Sequence, residues 1–232
     1  MAARRPGSTP SAADRPGVVG ARIERVGAEG DGIAAAPDGT RLYVPLTLPG
    51  EWVWAQPLAR RGDGFLCIDE GGFASSTERV HPPCRHFGTC GGCVLQHWRD
   101  AAYREWKAGL LRDALRLAGF RDAPISPVVP TPPGARRRMD LAIRRAGRQV
   151  TVGLHRLRAT EVVDLQTCHV LHPRLVALIE PLRRLLHGVS GLRAEGSAVV
   201  NLLESGPDVL LRTDRPLTVQ DRGRLLEFAR AY

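Results

Sequence analysis

Residues 81–97 read His81-Pro82-Pro83-Cys84-Arg85-His86-Phe87-Gly88-Thr89-Cys90-Gly91-Gly92-Cys93-Val94-Leu95-Gln96-His97. Three cysteines fall within ten residues at C-x5-C-x2-C spacing, with a Gly-Gly pair between the second and third. A fourth, Cys168, stands alone in Gln166-Thr167-Cys168-His169. Glycine lets several thiolates turn toward one point without Cβ clashes, and four thiolates are what a [4Fe–4S] cluster requires. Structural zinc also takes four cysteines, but zinc ribbons usually present two short C-x2-C knuckles. Here the fourth cysteine is isolated, as in many cluster sites with three ligands on one loop and one from elsewhere. Five cysteines, an odd count, do not make the disulfide framework of a secreted protein. The spacing favours an iron–sulfur site at Cys84, Cys90, Cys93 and Cys168, with zinc as its rival.

Working outward from the loop, residues 101–118 form a helix. Tyr103, Trp106, Leu110, Leu111, Ala114 and Leu117 recur at helical spacing, and Gly119 is a natural stop. Its place just after Cys93 predicts packing over the cluster. Upstream, residues 17–79 read as short strands between glycine turns. Val19, Ala21 and Ile23 alternate, Pro37-Asp38-Gly39-Thr40 marks a hairpin, and Arg61-Gly62-Asp63-Gly64 precedes Phe65-Leu66-Cys67-Ile68. Four visible strands and an expected fifth point to a small OB-like barrel. Trp52 and Trp54 share one face and are read as core filling rather than as base-stacking rings; Cys67 is read as a buried hydrophobe. Residues 1–16, rich in Arg, Pro, Ser, Ala and Gly, are expected to be a disordered tail.

Downstream, Pro124, Pro127, Pro130, Pro132 and Pro133 mark a linker. Met139, Leu141 and Ile143 alternate, Gly147 allows a turn, and Val150, Val152 and Leu154 alternate again, which is a β-hairpin. Cys168 follows Val162-Val163-Asp164-Leu165 at an expected strand end. Pro173 opens a helix with Leu175, Leu178, Leu182, Leu185 and Leu186 as its core face. Strands are predicted at 197–203 and 209–212, and Thr218-x-x-Asp221 is a capping box for a last helix. Between Gly134 and Thr160, Arg136, Arg137, Arg138, Arg144, Arg145, Arg148, Arg156 and Arg158 stand against one acid, Asp140. So one-sided a count makes this stretch the candidate for contact with an RNA backbone.

Composition agrees. A formal charge of +9 and a pI near 10.3 favour a polyanionic partner. Hydrophobic residues at 43% and no apolar run of bilayer length indicate a soluble chain outside membranes, and a reducing cytoplasm suits thiolate ligands. A monomer is expected.

The run Pro-Pro-Cys-x2-Phe-Gly-x-Cys-Gly-Gly-Cys-x2-Gln-His resembles the bacterial RNA 5-methyluridine methyltransferases that carry an iron–sulfur cluster. So does Val152-Gly153-Leu154-His155-Arg156 through Val163-Asp164-Leu165-Gln166-Thr167-Cys168-His169-Val170-Leu171, which is similar to the family's segment around its fourth ligand. The likeness covers nearly the whole chain after residue 16, and residues 17–79 resemble the family's N-terminal TRAM domain, an OB-like RNA-binding module. It implies a [4Fe–4S] cluster on Cys84, Cys90, Cys93 and Cys168, with RNA, 23S ribosomal RNA in particular, as partner. His86, His97 and His169 lie beside the ligands and are expected to hydrogen-bond or to contact phosphate.

Members of that family move a methyl group from S-adenosylmethionine to C5 of uridine. A cysteine adds to C6, and a carboxylate removes the C5 proton, in a C-terminal Rossmann-like domain. No G-x-G-x-x-G follows a strand here, and no catalytic or S-adenosylmethionine-binding residue carries over. The expectation is a mixed β and α+β chain. It comprises the tail over 1–16, a five-stranded TRAM barrel over 17–79, the iron–sulfur loop and helix over 80–120, and a central α+β RNA-binding domain over 121–232. The Rossmann domain, and S-adenosylmethionine with it, would be absent, so this chain is read as an inactive N-terminal portion. A stand-alone iron–sulfur RNA-binding protein is the alternative; a ferredoxin-like carrier fits the basic charge poorly.

Overall fold

In the computed structural model, residues 17–72 and 74–232 are described; the expected tail over 1–16 lies outside them. Two compact units are present. One holds the chain up to Pro82 together with Val94–Val128, and the other holds Pro83–Cys93 with Val129–Tyr232. The cysteine loop and the helix after it, read as one segment in sequence, thus fall in different units.

The first unit carries β1 (Val19–Arg22), β2 (Arg25–Val26), β3 (Gly32–Ala35), β4 (Arg41–Val44), β5 (Trp52–Arg61), β6 (Gly64–Asp69) and α1 (Asp100–Leu117). The strands form one sheet in the order β1-β5-β6-β4-β3-β2. Six strands replace the five expected, and the sheet is curled rather than a closed barrel. The cause lies in residues 19–26, which supply both edges of the sheet. Ile23 N–H donates to Glu51 O beside β1, and Glu24 N–H donates to Ile33 O beside β2, each at 2.8 Å. Pro57 brings no N–H to its ladder, and the β5–β6 register shifts between Pro57 and Ala59.

Val53 and Ala55 face the core with Ala21, Ile23, Leu42, Val44 and Cys67. Trp52 and Trp54 therefore share the opposite face, and the core-filling expectation is overturned. The pleat alternates side chains, and the small core takes the two small residues. A Cβ on Gly20 would lie 2.8 Å from the Trp54 ring, so a bare backbone there lets the indole lie down on the neighbouring strand. Cys67 is 1% exposed, as read from sequence, and burial pushes its thiol pKa up to about 11.

Helix α1 packs within the first unit on Val26, Leu48 and Trp98, through Ala102, Tyr103 and Trp106. Trp106 Nε1 donates to Val26 O at 3.0 Å. The aromatic residues of this helix sit in its first two turns, where they make that contact. No residue of α1 is fully buried.

The second unit is a five-stranded sheet covered by helices. Its elements are β7 (Arg138–Ala146), β8 (Gln149–His155), β9 (Val162–Asp164), α2 (Pro173–His187), β10 (Glu195–Leu202), β11 (Pro207–Thr213) and α3 (Val219–Ala231). The strand order is β11-β10-β7-β8-β9, every pair antiparallel. Met139, Leu141 and Ile143 of β7 and Val150 and Val152 of β8 meet Leu175, Leu178, Ile179, Leu182 and Leu186 of α2. Each such side chain, once buried, contributes about 2 kcal/mol. Pro173 begins α2, and the predicted capping box of α3 is formed. Among the described residues no helix is long and apolar enough to cross a membrane.

Candidate metal centre and basic surface

The cysteine loop is built by its own turn and by a hairpin far along the chain. Phe87 N–H donates to Cys84 O at 3.0 Å, and Cys90 N–H to His86 O at 2.8 Å, while Gly88 takes φ 82°. These bonds close a tight turn with Cys84 and Cys90 at its ends. The loop then joins the β8–β9 connection: Gly91 N–H donates to His155 O and Leu157 N–H to Thr89 O, both at 2.9 Å. Cys90 and Arg156 form an antiparallel bridge. Arg85 reaches Gln166 Oε1 at 2.5 Å, which ties the loop to the segment carrying Cys168.

Cys84, Cys90 and Cys168 are in no disulfide. Burial pushes the Cys90 thiol up; the Cys168 and Cys84 thiolates add to the rise, and the Gly92 N–H works against it. Thiols 78 positions apart in sequence are therefore electrostatic neighbours. Gly92 N–H donates to Cys90 Sγ at 3.4 Å, the kind of bond that steadies a thiolate ligand. A Cβ on Gly92 would lie 2.9 Å from Leu154 Cδ1 and 3.5 Å from Cys90 Sγ, so the loop packs closely on Leu154 and lies in ordinary contact with the sulfur. Cys93 follows on the same loop, half-buried.

Among the described residues no three His, Cys, Asp or Glu side chains gather as they would around one metal ion. A tetrahedral zinc site holds its sulfurs about 3.8 Å apart, whereas in an iron–sulfur cluster each thiolate binds its own iron and the sulfurs stand wider. Four cysteine thiolates, with the Gly92 amide on Cys90 and no Cβ at Gly91 and Gly92, are donors that either group can use. His86 lies in the turn with its Nε2 out of water and no hydrogen-bond partner found. Burial, then the Arg85 charge, lowers its pKa, against a smaller opposite pull from Asp164. His169 is exposed, and His97 is buried in the first unit.

The arginines read as RNA contacts divide by what their side chains do. Arg145 donates to Leu186 O at 2.5 Å and His187 O at 3.2 Å, the last carbonyls of α2, where a cation suits the helix dipole. Arg144 pairs with Glu195 at 2.7 Å, Arg138 meets Asn201 at 3.3 Å, and Arg137 Nε donates to Leu202 O at 3.0 Å. Arg136, Arg156 and Arg158 are exposed, and Arg158 holds a left-handed φ of 56°. Arg156 and Arg158 line a shallow cleft of about 700 Å³ that also includes Gly91 and Gly92. Sequence reading missed the docking of the cysteine loop on the 155–157 backbone, and also the Gly92 amide on Cys90. The Val152–Arg156 motif was the available signal for the first.

No family model matches the chain. An uncharacterized RNA methyltransferase of Caulobacter vibrioides is 42% identical over 165 residues, covering 70% of this chain and 38% of the relative. The 23S rRNA (uracil(1939)-C(5))-methyltransferase RlmD of Nitrosospira multiformis is 34% identical over 212 residues, 89% of this chain and 48% of the relative. Among solved structures, the fold is similar to the Pyrococcus abyssi tRNA (uracil-54, C5)-methyltransferase in complex with S-adenosyl-L-homocysteine. That likeness has a TM-score of 0.56 at 22% identity and covers 83% of this chain and 45% of the other. The chain is thus similar in sequence to RNA methyltransferases of which it spans less than half the length.

Proposed function

We propose that this chain is the RNA-gripping, iron–sulfur part of an S-adenosylmethionine-dependent RNA (uracil-C5) methyltransferase acting on 23S ribosomal RNA. The observation that carries this is the sequence likeness to RNA methyltransferases across 89% of the chain. Cys84, Cys90, Cys93 and Cys168 hold a [4Fe–4S] cluster, whose part is to pin the loop to the strand segment that carries the fourth ligand. The sulfur neighbourhood of Cys90 and the Gly92 cradle support that assignment. RNA lies on Arg136, Arg137, Arg138, Arg144, Arg145, Arg156 and Arg158. Arg156 and Arg158 lead, since they are exposed beside the cysteine loop, and Arg145 acts mainly through helix α2. The curled sheet is a TRAM-like module, and Trp52, 41% exposed beside Trp54, offers a ring for base stacking.

In this scheme methyl transfer belongs to groups outside the residues described above, and the chain works as a cytoplasmic monomer. Three measurements test it together. Anaerobically purified chain should contain four irons and four sulfides. It should bind 23S ribosomal RNA fragments with an affinity that falls with salt. It should not methylate uridine by itself. Zinc in place of iron would overturn the cluster, and salt-independent or absent RNA binding would overturn the rest. Methylation by this chain would overturn the division of labour.

A further inference from the structure

His86 is half-buried, and its Nε2 is a buried atom that the scheme above leaves without work. Its Nε2 is shut off from water and has no hydrogen-bond partner among the described residues. Leaving a polar nitrogen so placed is costly, and buried polar atoms in native proteins nearly always find a partner. The backbone beneath the ring is fixed, because the His86 carbonyl accepts from Thr89 N–H at 3.1 Å and Cys90 N–H at 2.8 Å. Two other buried nitrogens of this unit lack partners, Arg145 Nε and Arg183 Nε. Both belong to guanidiniums already bonded through their outer nitrogens. His86 has no such second anchor in the hydrogen bonds described. It stands in the turn between Cys84 and Cys90, and Cys90 has both Cys84 and Cys168 as electrostatic neighbours.

We propose that His86 donates its Nε2–H to a sulfur of the [4Fe–4S] cluster, an inorganic sulfide or a cysteine Sγ, and so is a positioning residue that tunes the cluster. This rests on the cluster assignment above. A donor on sulfur draws electron density from the irons and stabilises the more negative, reduced state, which raises the reduction potential. The Gly92 amide on Cys90 Sγ acts in the same direction, so His86 would be the second such donor on this loop.

The test uses the full chain reconstituted anaerobically with ferrous iron and sulfide, as wild type, His86→Phe and His86→Gln. Phenylalanine keeps the ring and removes the donor; glutamine restores an N–H. All three should hold four irons. In His86→Phe the equilibrium constant for one-electron reduction should fall about tenfold, 59 mV, with partial return in His86→Gln. Equal potentials in wild type and His86→Phe would overturn the proposal. Should the variants lose the cluster, wild type carrying ¹⁵N-histidine decides instead: pulsed EPR of the reduced cluster should show coupling to one histidine nitrogen, and none would overturn it. Wild type that takes up no cluster would overturn the cluster assignment itself, whereas a wild-type cluster without these effects would overturn only the role of His86.

Discussion

Asp221 is fully buried and accepts from Ser190 N–H at 2.8 Å, Ser190 Oγ at 2.7 Å, Gly191 N–H at 3.1 Å and Thr218 N–H at 3.0 Å. Burial alone would raise its pKa, but the Ser190 and Thr218 donors outweigh it and hold the carboxyl well below the usual carboxylate range. Since the folded pKa lies below the unfolded one, its contribution is complete above about pH 4 and is lost as pH falls through the depressed value. Asp221→Ala should cost about 2–3 kcal/mol at pH 7 in urea denaturation, with the deficit shrinking below pH 4. His97 acts in a higher window. Burial, then Arg79, lowers its pKa to about 4, so the unfolded chain takes up the proton first as pH falls from about 6.5. The thermal midpoint should drop between pH 6.5 and 4, and His97→Gln should flatten that drop. At Cys168, exchange of one sulfur for oxygen removes a soft ligand. Cys168→Ser should lose most bound iron while keeping the far-ultraviolet circular dichroism of the fold.

Strand β8 is the element through which the cysteine loop, the basic hairpin and the sheet core meet. A Cβ on Gly153 would lie 1.9 Å from Val163 O and 2.9 Å from Leu165 N, both backbone atoms of the segment leading to Cys168. Gly153→Ala should therefore break the β8–β9 pairing, cost about 1–3 kcal/mol, and lower iron retention as well. Gly109 on α1 is the counterpart, since a Cβ there meets nothing within 4 Å. Gly109→Ala should raise stability by about 0.5–1 kcal/mol through helix propensity alone. Much at this scale was legible in sequence. The alternation over 139–154 and the leucine stripe of α2 repeat with the period of the element they build, and the Thr218–Asp221 box marks a helix start by its fixed spacing. The bend over 19–26 was not legible, because a strand that feeds two edges reads as one alternating run. Nor did pattern say that Arg145 would turn to the end of α2, since the destination of a long side chain is settled by tertiary packing.

Across the whole molecule, the net charge of +9 is a force on polyanions that no single contact supplies. If Arg156 and Arg158 each neutralise a phosphate, replacing both by Gln should weaken RNA binding alike across sequences. The slope of log affinity against log salt should then shrink by about 1.4–1.8, as read by fluorescence anisotropy at several salt concentrations. Equal slopes would place the RNA elsewhere. The candidate site was legible here as a spacing and a charge density, but not as a surface. Which arginines are already engaged within the protein depends on Glu195, Asn201 and the carbonyls of α2, none of them near those arginines in sequence.

The second unit takes Pro83–Cys93 from before the helix and completes itself with Val129–Tyr232. During synthesis the three loop thiols leave the ribosome about 75 residues ahead of the fourth, an interval of roughly 4–15 s at ordinary elongation rates. For most of it the nascent chain offers three thiols with no β8–β9 hairpin to dock on. If these thiols take up the proposed cluster, iron delivery has to wait for, or be guarded until, the arrival of Cys168.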